Sequence, residues 1–276
     1  MIRFPNAKIN LGLYITSKRE DGYHNIETCF YPIPLYDILE VVRQPNSQNE
    51  DCGIHIYGLP VQGNADDNLC VKAYHLLKKD FPAMPSVEMH LYKNIPMGAG
   101  LGGGSADGAF MLSTLNEKFL LGIDDDTLCK YALQLGSDCP FFILNKPCIA
   151  KGRGELMESV ALNLSGYYLL LVNPGIHVST ATAFSAIQPA MPDKSLQEII
   201  TMPVKEWKNI LMNDFEKNVF TTYPQIKNIK QKMYDAGAVY ASMTGTGSTV
   251  YGLFEKEIDK PEDIFEKEYL VKQIQM

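Results

Sequence analysis

The stretch Pro96-Met97-Gly98-Ala99-Gly100-Leu101-Gly102-Gly103-Gly104-Ser105 decides the fold around it, because it places five glycines in seven consecutive positions. It follows an apolar run, Val87–Lys93, that predicts a strand. It precedes a run from Ala106 to Leu121 whose apolar residues recur at helical spacing. A glycine backbone turns tightly and brings its N–H groups close to a ligand. With Ser105 as the expected N-cap of a helix, the pattern predicts a site for phosphate oxygens.

Three other interpretations of this stretch are weaker. A flexible linker is usually rich in serine and lacks patterned flanks, whereas both flanks are patterned here. A Walker A loop would end in Gly-Lys-Ser/Thr, and this stretch does not. Gly98, Gly100 and Gly103 do match a dinucleotide fingerprint, and Asp124 follows at about twenty residues. We rank the dinucleotide hypothesis low, because that acid lies between two predicted helices instead of ending a second strand.

The composition limits the class of partner. The chain has 276 residues, of which 46% are hydrophobic, as in an ordinary globular protein with one large or two modest domains. A formal net charge of -7 argues against nucleic acid or an anionic membrane as partner. No apolar run approaches a membrane span, and the N-terminus has no signal-peptide pattern. The six cysteines include no C-x-x-C pair, which predicts reduced thiols in a cytoplasmic protein.

Predicted strands and helices are mixed along the chain without strict alternation, which favours an α+β fold in two lobes. We expect the boundary to divide residues 1–158 from residues 159–276. Within the first lobe, the short apolar run from Cys139 to Leu144 is interpreted as a strand. A second glycine-rich segment, Thr244-Gly245-Thr246-Gly247-Ser248, joins two predicted strands. A hairpin turn is the simpler interpretation of that segment, and a second wall around a phosphate is the alternative.

Three segments in this order together resemble the GHMP kinase family: Asn6-Ala7-Lys8-Ile9-Asn10-Leu11, the glycine-rich stretch, and Thr244-Gly245-Thr246-Gly247-Ser248. Three more match a branch of the family that acts on a cytidine diphosphate-linked polyol: Asp21-Gly22-Tyr23-His24, Leu135-Gly136-Ser137-Asp138-Cys139-Pro140-Phe141-Phe142 and Asn213-Asp214-Phe215-Glu216. The likeness covers nearly the whole chain. The chain departs from the usual pattern at Asn6, at Ala106 in place of a second serine, and at Gly108 in place of alanine. None of these departures removes a charged catalytic group.

The resemblance implies a two-lobed GHMP kinase fold, with an N-terminal lobe like ribosomal protein S5 domain 2 and a ferredoxin-like C-terminal lobe. It also implies transfer of the γ-phosphate of ATP to the 2-hydroxyl of a cytidine diphosphate-linked methylerythritol, in non-mevalonate isoprenoid precursor synthesis. Mg²⁺ would accompany ATP, and no protein ligand for it is assigned. The alternatives are a kinase of the homoserine or mevalonate type and a non-catalytic sensor on the same fold.

The resemblance assigns the chemistry to two residues. Asp138 would be the general base for the substrate hydroxyl, and Lys8 would keep it ionised and stabilise the moving negative charge. Without the resemblance, Asp138 is an ordinary turn or cap residue and Lys8 is a solvent-facing strand lysine. The presence of both residues disfavours the sensor hypothesis.

The resemblance also implies the binding residues. Tyr23 and His24 would stack on the cytosine and hydrogen-bond its polar edge, with Phe184 on the opposite face. Asn10 would contact the erythritol or its phosphate. The ATP phosphates would lie on Pro96, Met97, Gly98, Ala99, Gly100, Leu101, Gly102, Gly103, Gly104, Ser105 and Ala106.

Overall fold

The computed structural model of the chain describes residues 1–44, 52–61, 63–184 and 187–276, without the side chains of residues 180 and 181. Within these residues the strands are β1 (Ile2–Arg3), β2 (Asn6–Lys18), β3 (His24–Tyr36), β4 (Ile38–Arg43), β5 (Cys52–Gly58), β6 (Val87–Lys93), β7 (Cys148–Gly152), β8 (Leu156–Ser159), β9 (Tyr168–Asn173), β10 (Tyr240–Met243), β11 (Val250–Phe254) and β12 (Leu270–Gln275). The α-helices are α1 (Leu69–Asp80), α2 (Gly103–Phe119), α3 (Asp125–Leu135), α4 (Cys139–Leu144), α5 (Thr180–Phe184), α6 (Leu196–Ile200), α7 (Phe215–Thr222) and α8 (Pro224–Asp235). Short 3₁₀ helices lie at Ala65–Asp67, Val204–Asn209 and Pro261–Ile264.

The chain forms two compact units, and each is built from stretches that are distant in sequence. The first unit contains Met1–Ala7, Leu35–Met97 and Gly102–Lys146. The second contains Lys8–Pro34, Gly98–Leu101 and Pro147–Met276. Among the described residues, no helix combines the length and the apolar character needed to cross a bilayer.

The first unit is built on a four-stranded sheet in the order β1-β4-β6-β5. Strand β6 pairs antiparallel with β4 and parallel with β5. Because successive side chains of a strand point to opposite faces, Val87, Met89 and Leu91 are fully buried on one face of β6, and Lys93 follows on the same face. Helices α1 and α2 pack against each other and against this sheet. The sheet and its helices therefore enclose the core of this unit.

Helix α2 begins earlier than the sequence predicts. Its first residue is Gly103, its N-cap is Gly102 with a left-handed φ of 72°, and Ser105 is the third residue of the helix. The prediction of Ser105 as N-cap is therefore wrong, because a glycine adopts the left-handed conformation without strain and lets the helix start directly after it. A Cβ added to Gly108 would lie 2.9 Å from the Cβ of Leu69. This close packing explains why glycine stands where alanine is usual.

The segment Cys139–Leu144 is helix α4, so the expectation of a strand is wrong. Pro140 stands in its first turn, where the missing N–H has no helical partner to lose. Asn145 ends the helix in the left-handed conformation, with φ 49°. A six-residue apolar run does not distinguish a buried strand from a short helix, and the proline position decides it here.

The second unit contains two sheets, in the orders β10-β11-β9-β12 and β2-β3-β7-β8. Its core joins residues of β2, β9, α7 and α8: Leu13, Ile15, Leu170, Val172, Phe215, Val219, Ile226, Ile229 and Met233. Strands β10 and β11 pair antiparallel, with Met243 opposite Val250. The predicted hairpin at Thr244–Ser248 is thereby confirmed. Strand β2 carries Lys8 and Asn10 into this unit.

Candidate active site

The glycine-rich stretch has left-handed backbone at alternate positions. Gly98 has φ 64°, Gly100 has φ 78° and Gly102 has φ 72°. Alternation of right- and left-handed residues turns successive backbone N–H groups toward one side, which forms a concave site for an anion. Helix α2 follows in sequence, and the positive end of its dipole favours an anion at its own N-terminus. The left-handed glycines suit phosphate oxygens.

The side chain of Thr244 connects the three segments that define the family resemblance. The backbone N–H of Asn10 donates to Thr244 Oγ1 at 3.0 Å. Thr244 Oγ1 lies 3.0 Å from the carbonyl oxygen of Gly100 and 3.2 Å from Asn10 Oδ1, so its hydroxyl can donate to either. Glycine is required at position 100, because an added Cβ would lie 2.0 Å from the carbonyl oxygen of Thr244. The first strand, the glycine-rich stretch and the β10–β11 turn therefore meet at one hydroxyl.

Lys8 is buried, with 3% of its surface exposed, so the alternative of a solvent-facing strand lysine is wrong. Its ammonium donates to Asn10 Oδ1 at 2.5 Å and lies 5.1 Å from the centre of the Phe30 ring. Its backbone N–H donates to the carbonyl oxygen of Leu101 at 2.9 Å. The Asn10 amide in turn donates to Thr28 Oγ1 at 2.9 Å. These contacts hold the charge of Lys8 in a defined position beside the middle of the glycine-rich stretch.

Asp138 lies in the first unit, in the turn between α3 and α4, and is partly buried. The backbone N–H of Cys139 donates to the carbonyl oxygen of Gly136 at 3.2 Å, which fixes this turn. Burial raises the pKa of the Cys139 thiol to about 12, and a hydrogen bond between Cys139 and Ser105 opposes that shift. Since Ser105 belongs to the first turn of α2, the turn that carries Asp138 lies against the start of that helix.

The Asp-Gly-Tyr-His segment forms a tight turn before β3. Asp21 accepts a hydrogen bond from the backbone N–H of Tyr23 at 3.1 Å, and this bond, with a further contribution from Arg19, lowers the pKa of the Asp21 carboxyl. Gly22 allows the turn with φ 83°. The Tyr23 side chain is 54% exposed, and the guanidinium of Arg153 lies over its ring at 4.2 Å. The turn therefore presents a rigid aromatic side chain at the surface.

His24 and Phe184, two of the residues predicted to contact a base, are in direct contact. Their ring centres are 4.9 Å apart and their planes differ by 22°, so the rings are stacked. Phe184 is supported by the buried ring of Phe215, which meets it edge-on at 4.8 Å. Because rings at this separation leave no space for a base between them, a base would stack on an outer face or would have to part the two rings.

A buried cluster in the first unit is missed by the sequence analysis. The ammonium of Lys93 contacts the carboxylates of Asp37 and Asp107, the latter at 2.6 Å, and all three residues are at most 3% exposed. Asp37 also accepts the backbone N–H groups of Asn94 and Ile95, at 2.6 and 2.8 Å. The cluster thus joins the end of β6, where the glycine-rich stretch begins, to helix α2, where that stretch ends.

The charges of this cluster do not balance, since two carboxylates face one ammonium. Burial raises the pKa of Asp107 to about 7; Lys93 opposes this shift and Asp37 adds to it. Burial alone lowers the pKa of Lys93, but the charges of Asp107 and Asp37 outweigh it and hold that pKa above its usual range. Among the described residues, Asp107 Oδ1 has no hydrogen-bond partner. The ammonium therefore stays charged, and Asp107 is the carboxyl that takes up a proton near neutral pH.

A cavity of 360 Å³ adjoins this cluster within the first unit. Lys93 and Asp107 form part of its wall. Its other residues include apolar side chains of β5 and α1 together with two members of the glycine-rich stretch: Ile54, Ile56, Val61, Leu69, Met97 and Gly104. The alternation of β6 could have placed Lys93 on the buried face, but nothing local in the sequence indicates its two partners.

Comparisons with known proteins agree with this architecture. The family model of the GHMP kinases N terminal domain matches residues 68–146, and the model of the GHMP kinases C terminal domain matches residues 195–267. The chain belongs to the GHMP kinase family, and the predicted α+β GHMP kinase fold is confirmed. It is a small-molecule kinase that uses ATP.

The most informative relatives are a sequence and two structures. The 4-diphosphocytidyl-2-C-methyl-D-erythritol kinase of Bacteroides fragilis (strain YCH46) is 57% identical over 257 residues, which cover 93% of each chain. A crystal structure of 4-(cytidine 5'-diphospho)-2C-methyl-D-erythritol kinase matches at a TM-score of 0.80, with 29% identity and 100% of both chains covered. The mevalonate kinase of Methanococcus jannaschii matches at a TM-score of 0.68 with 13% identity, over 100% of this chain and 98% of that one, which is a likeness of fold alone.

Proposed function

We propose that this chain transfers the γ-phosphate of ATP to the 2-hydroxyl of 4-diphosphocytidyl-2-C-methyl-D-erythritol, giving the 2-phosphate and ADP, in non-mevalonate isoprenoid precursor synthesis. The observation that carries the proposal is the 57% identity, over 93% of each chain, to a relative that bears the name of this kinase. We place the protein in the cytoplasm, where its six free thiols would stay reduced, and assign it no nucleic-acid partner. The division into lobes at residues 1–158 and 159–276 is part of the same proposal.

In this proposal Asp138 accepts the proton of the 2-hydroxyl as that oxygen attacks the γ-phosphorus. Lys8 stabilises the negative charge that grows on the transferred phosphoryl group, and Asn10 orients Lys8 and contacts the acceptor. The hydrogen bond from Lys8 to Asn10 and the partly buried turn that holds Asp138 support these roles. We further propose that the positive charge of Lys8 keeps Asp138 ionised.

The cytosine would be recognised by His24, Tyr23 and Phe184. The stacked rings of His24 and Phe184 provide an aromatic face that edge-on contact with Phe215 keeps in place. Tyr23 supplies a second face, with Arg153 on its ring. An aromatic face binds any base, so the polar edge of His24 would have to select cytosine.

ATP would bind with its phosphates along Pro96–Ala106 and its adenosine in the 360 Å³ cavity beside Met97 and Gly104. The three left-handed glycines and the start of α2 support the phosphate contacts. No group of three or more His, Cys, Asp or Glu side chains in the described residues is placed to hold a metal ion. Mg²⁺ would arrive with the nucleotide and be held mainly by phosphates and water.

A coupled assay of ADP release tests the substrate. We expect turnover with 4-diphosphocytidyl-2-C-methyl-D-erythritol and very little with homoserine or mevalonate. The reverse preference would move the chain to another branch of the family. ATP binding without turnover of any acceptor would support the sensor hypothesis.

The variant Asp138→Asn tests the base. We expect it to bind ATP with unchanged affinity and to lose turnover by about 10²–10⁴-fold, which is the usual contribution of a general base. Asp126→Asn, an exposed position in the first turn of α3, is the matched control and should keep full activity. Full activity of Asp138→Asn would refute the role of Asp138 while leaving the substrate assignment in place.

A further inference from the structure

Two side chains of the Asn213-Asp214-Phe215-Glu216 segment, Asn213 and Glu216, have no role in the function proposed so far and are buried against the β10–β11 turn. Asn213 is 3% exposed and donates through Nδ2 to the carbonyl oxygens of Met243, at 2.7 Å, and Gly245, at 2.9 Å. Its Oδ1 accepts the backbone N–H of Phe215 at 3.0 Å. One amide therefore holds the carbonyl groups on both sides of Thr244.

Glu216 accepts hydrogen bonds from donor groups at the start of the same turn. It is 6% exposed, and its Oε1 accepts the backbone N–H of Met243 at 2.9 Å and the hydroxyl of Ser242 at 3.1 Å. Its Oε2 accepts a hydrogen bond from the ammonium of Lys230 at 2.6 Å, which balances the buried charge. Donors and acceptors of the backbone on either side of Thr244 are thus satisfied by two side chains of α7 and its N-terminal turn.

We propose that Asn213 and Glu216 are positioning residues for phosphoryl transfer, and that they act on Lys8 through Thr244 and Asn10. With its neighbours held, the Thr244 hydroxyl is fixed against the Asn10 N–H and the Gly100 carbonyl. Asn10 in turn accepts the hydrogen bond of Lys8 at 2.5 Å. A small shift of the turn therefore moves the ammonium, and misplacement by about 1 Å is enough to cost on the order of 10²-fold in rate. This inference rests on the proposed role of Lys8.

A double-mutant cycle tests this route. Asn213→Ala removes the amide that holds the turn, and Thr244→Val removes the hydroxyl with little change of shape. We expect each variant to lower kcat by about 10- to 100-fold and to change the two KM values much less, because the ammonium acts in the transition state. The double variant should be no slower than the slower single variant, since both changes break the same connection.

Variants of Glu216 and Asp214 test the proposal independently of the double-mutant cycle. Glu216→Gln keeps an acceptor for the Met243 N–H and should retain kcat, whereas Glu216→Ala loses this acceptor and should resemble Asn213→Ala. Asp214→Asn is the matched control within the same segment, because Asp214 accepts the backbone N–H of Ile15 and does not hold the turn. It should leave kcat unchanged. If Asn213→Ala does not fold, Asn213→Ser, which keeps a hydroxyl for the Phe215 N–H, takes its place in the cycle.

Three results would overturn the inference: wild-type kcat in Asn213→Ala, a double variant whose loss is the product of the two single losses, or Glu216→Gln as slow as Glu216→Ala. The proposed function can fail separately. If the wild-type chain phosphorylates a different acceptor, the cycle is measured with that acceptor and still decides the role of Asn213 and Glu216. If the wild-type chain acts on the cytidine substrate and the cycle is multiplicative, only the positioning role is lost.

Discussion

Two buried lysines, one in each unit, lie in different surroundings. Lys93 is 1% exposed and its ammonium contacts the carboxylates of Asp37 and Asp107. Lys8 is 3% exposed, donates to the amide oxygen of Asn10 and lies over the ring of Phe30. The first charge belongs to a cluster that joins the end of β6 to helix α2 within one unit. The charge of Lys8 belongs to the hydrogen-bond network that connects Asn10 with Thr244.

The difference indicates how a buried charge can serve structure or chemistry. A lysine between two carboxylates is tied to its position, and its removal leaves buried negative charge behind. Lys8 lies instead beside Asn10 and the glycine-rich stretch, where its charge can act on a bound phosphate. We therefore expect substitution of Lys93 to affect mainly folding stability and substitution of Lys8 to affect mainly turnover.

Lys93→Met should have the largest effect on stability. It leaves Asp37 and Asp107 buried without their cation, which costs about 3–5 kcal/mol in comparable buried ion pairs. Denaturant unfolding in the absence of ATP measures this loss in the free energy of unfolding, without any contribution from a ligand bound in the adjoining cavity. Lys72→Met is the control, because Lys72 forms an exposed pair with Asp67 at 3.1 Å and should lose about 0–1 kcal/mol. If Lys93→Met lost no more stability than the control Lys72→Met, a structural role of the cluster would be contradicted.

Lys8→Met should have the next largest effect, and on a different quantity. We expect turnover to fall by about 10²–10³-fold, the usual result of removing one electrostatic contact to a transition state. The free energy of unfolding should fall less than in Lys93→Met. Lys151→Met, on strand β7, is the control for loss of a lysine charge, since its side chain is 59% exposed. If Lys8→Met were nearly as active as the wild type and as unstable as Lys93→Met, the assignment of Lys8 to turnover would be contradicted.

The two lysines also show which features the sequence predicts and which it does not. The strand Val87–Lys93 is predicted closely, because alternation of apolar residues is a local property. The family motif indicates Lys8 as a functional residue. Its contact with Asn10 follows because the two residues are two positions apart on one strand and share a face. Asp37 and Asp107 are 70 residues apart, so their shared ion pair is a tertiary contact without a local pattern.

Two predictions of backbone conformation are wrong for a related reason. The start of α2 depends on a left-handed glycine, and the helix at Cys139–Leu144 depends on Pro140 in its first turn. Both are choices between conformations that the local pattern allows almost equally, and packing decides them. The segment Asn213–Glu216 was visible in the sequence as part of a resemblance. Its contact with the β10–β11 turn required the fold, because the two lie about 30 residues apart.

Asp107→Asn should have the smallest effect and the clearest dependence on pH. Burial raises the pKa of Asp107 from 3.8 to about 7 in the folded protein, so the folded protein holds this proton more tightly than the unfolded chain. The contribution to stability is fully present below pH 3.8 and is lost as the pH rises through about 7. Asparagine resembles the protonated carboxyl and does not titrate. The stability of Asp107→Asn relative to the wild type should therefore increase between pH 5 and 8.

Denaturant unfolding of both proteins at several pH values measures this difference, in which other titrating groups cancel. One proton is involved, so the difference should change by at most about 1.4 kcal/mol per pH unit. Asp67→Asn is the control: Asp67 is exposed and pairs with Lys72, and the difference should be flat over this range. A flat difference for Asp107→Asn as well would mean that the carboxyl stays ionised across the range. Lys93 would then hold both carboxylates in their ionised form, and the excess negative charge of its cluster would not change stability over this pH range.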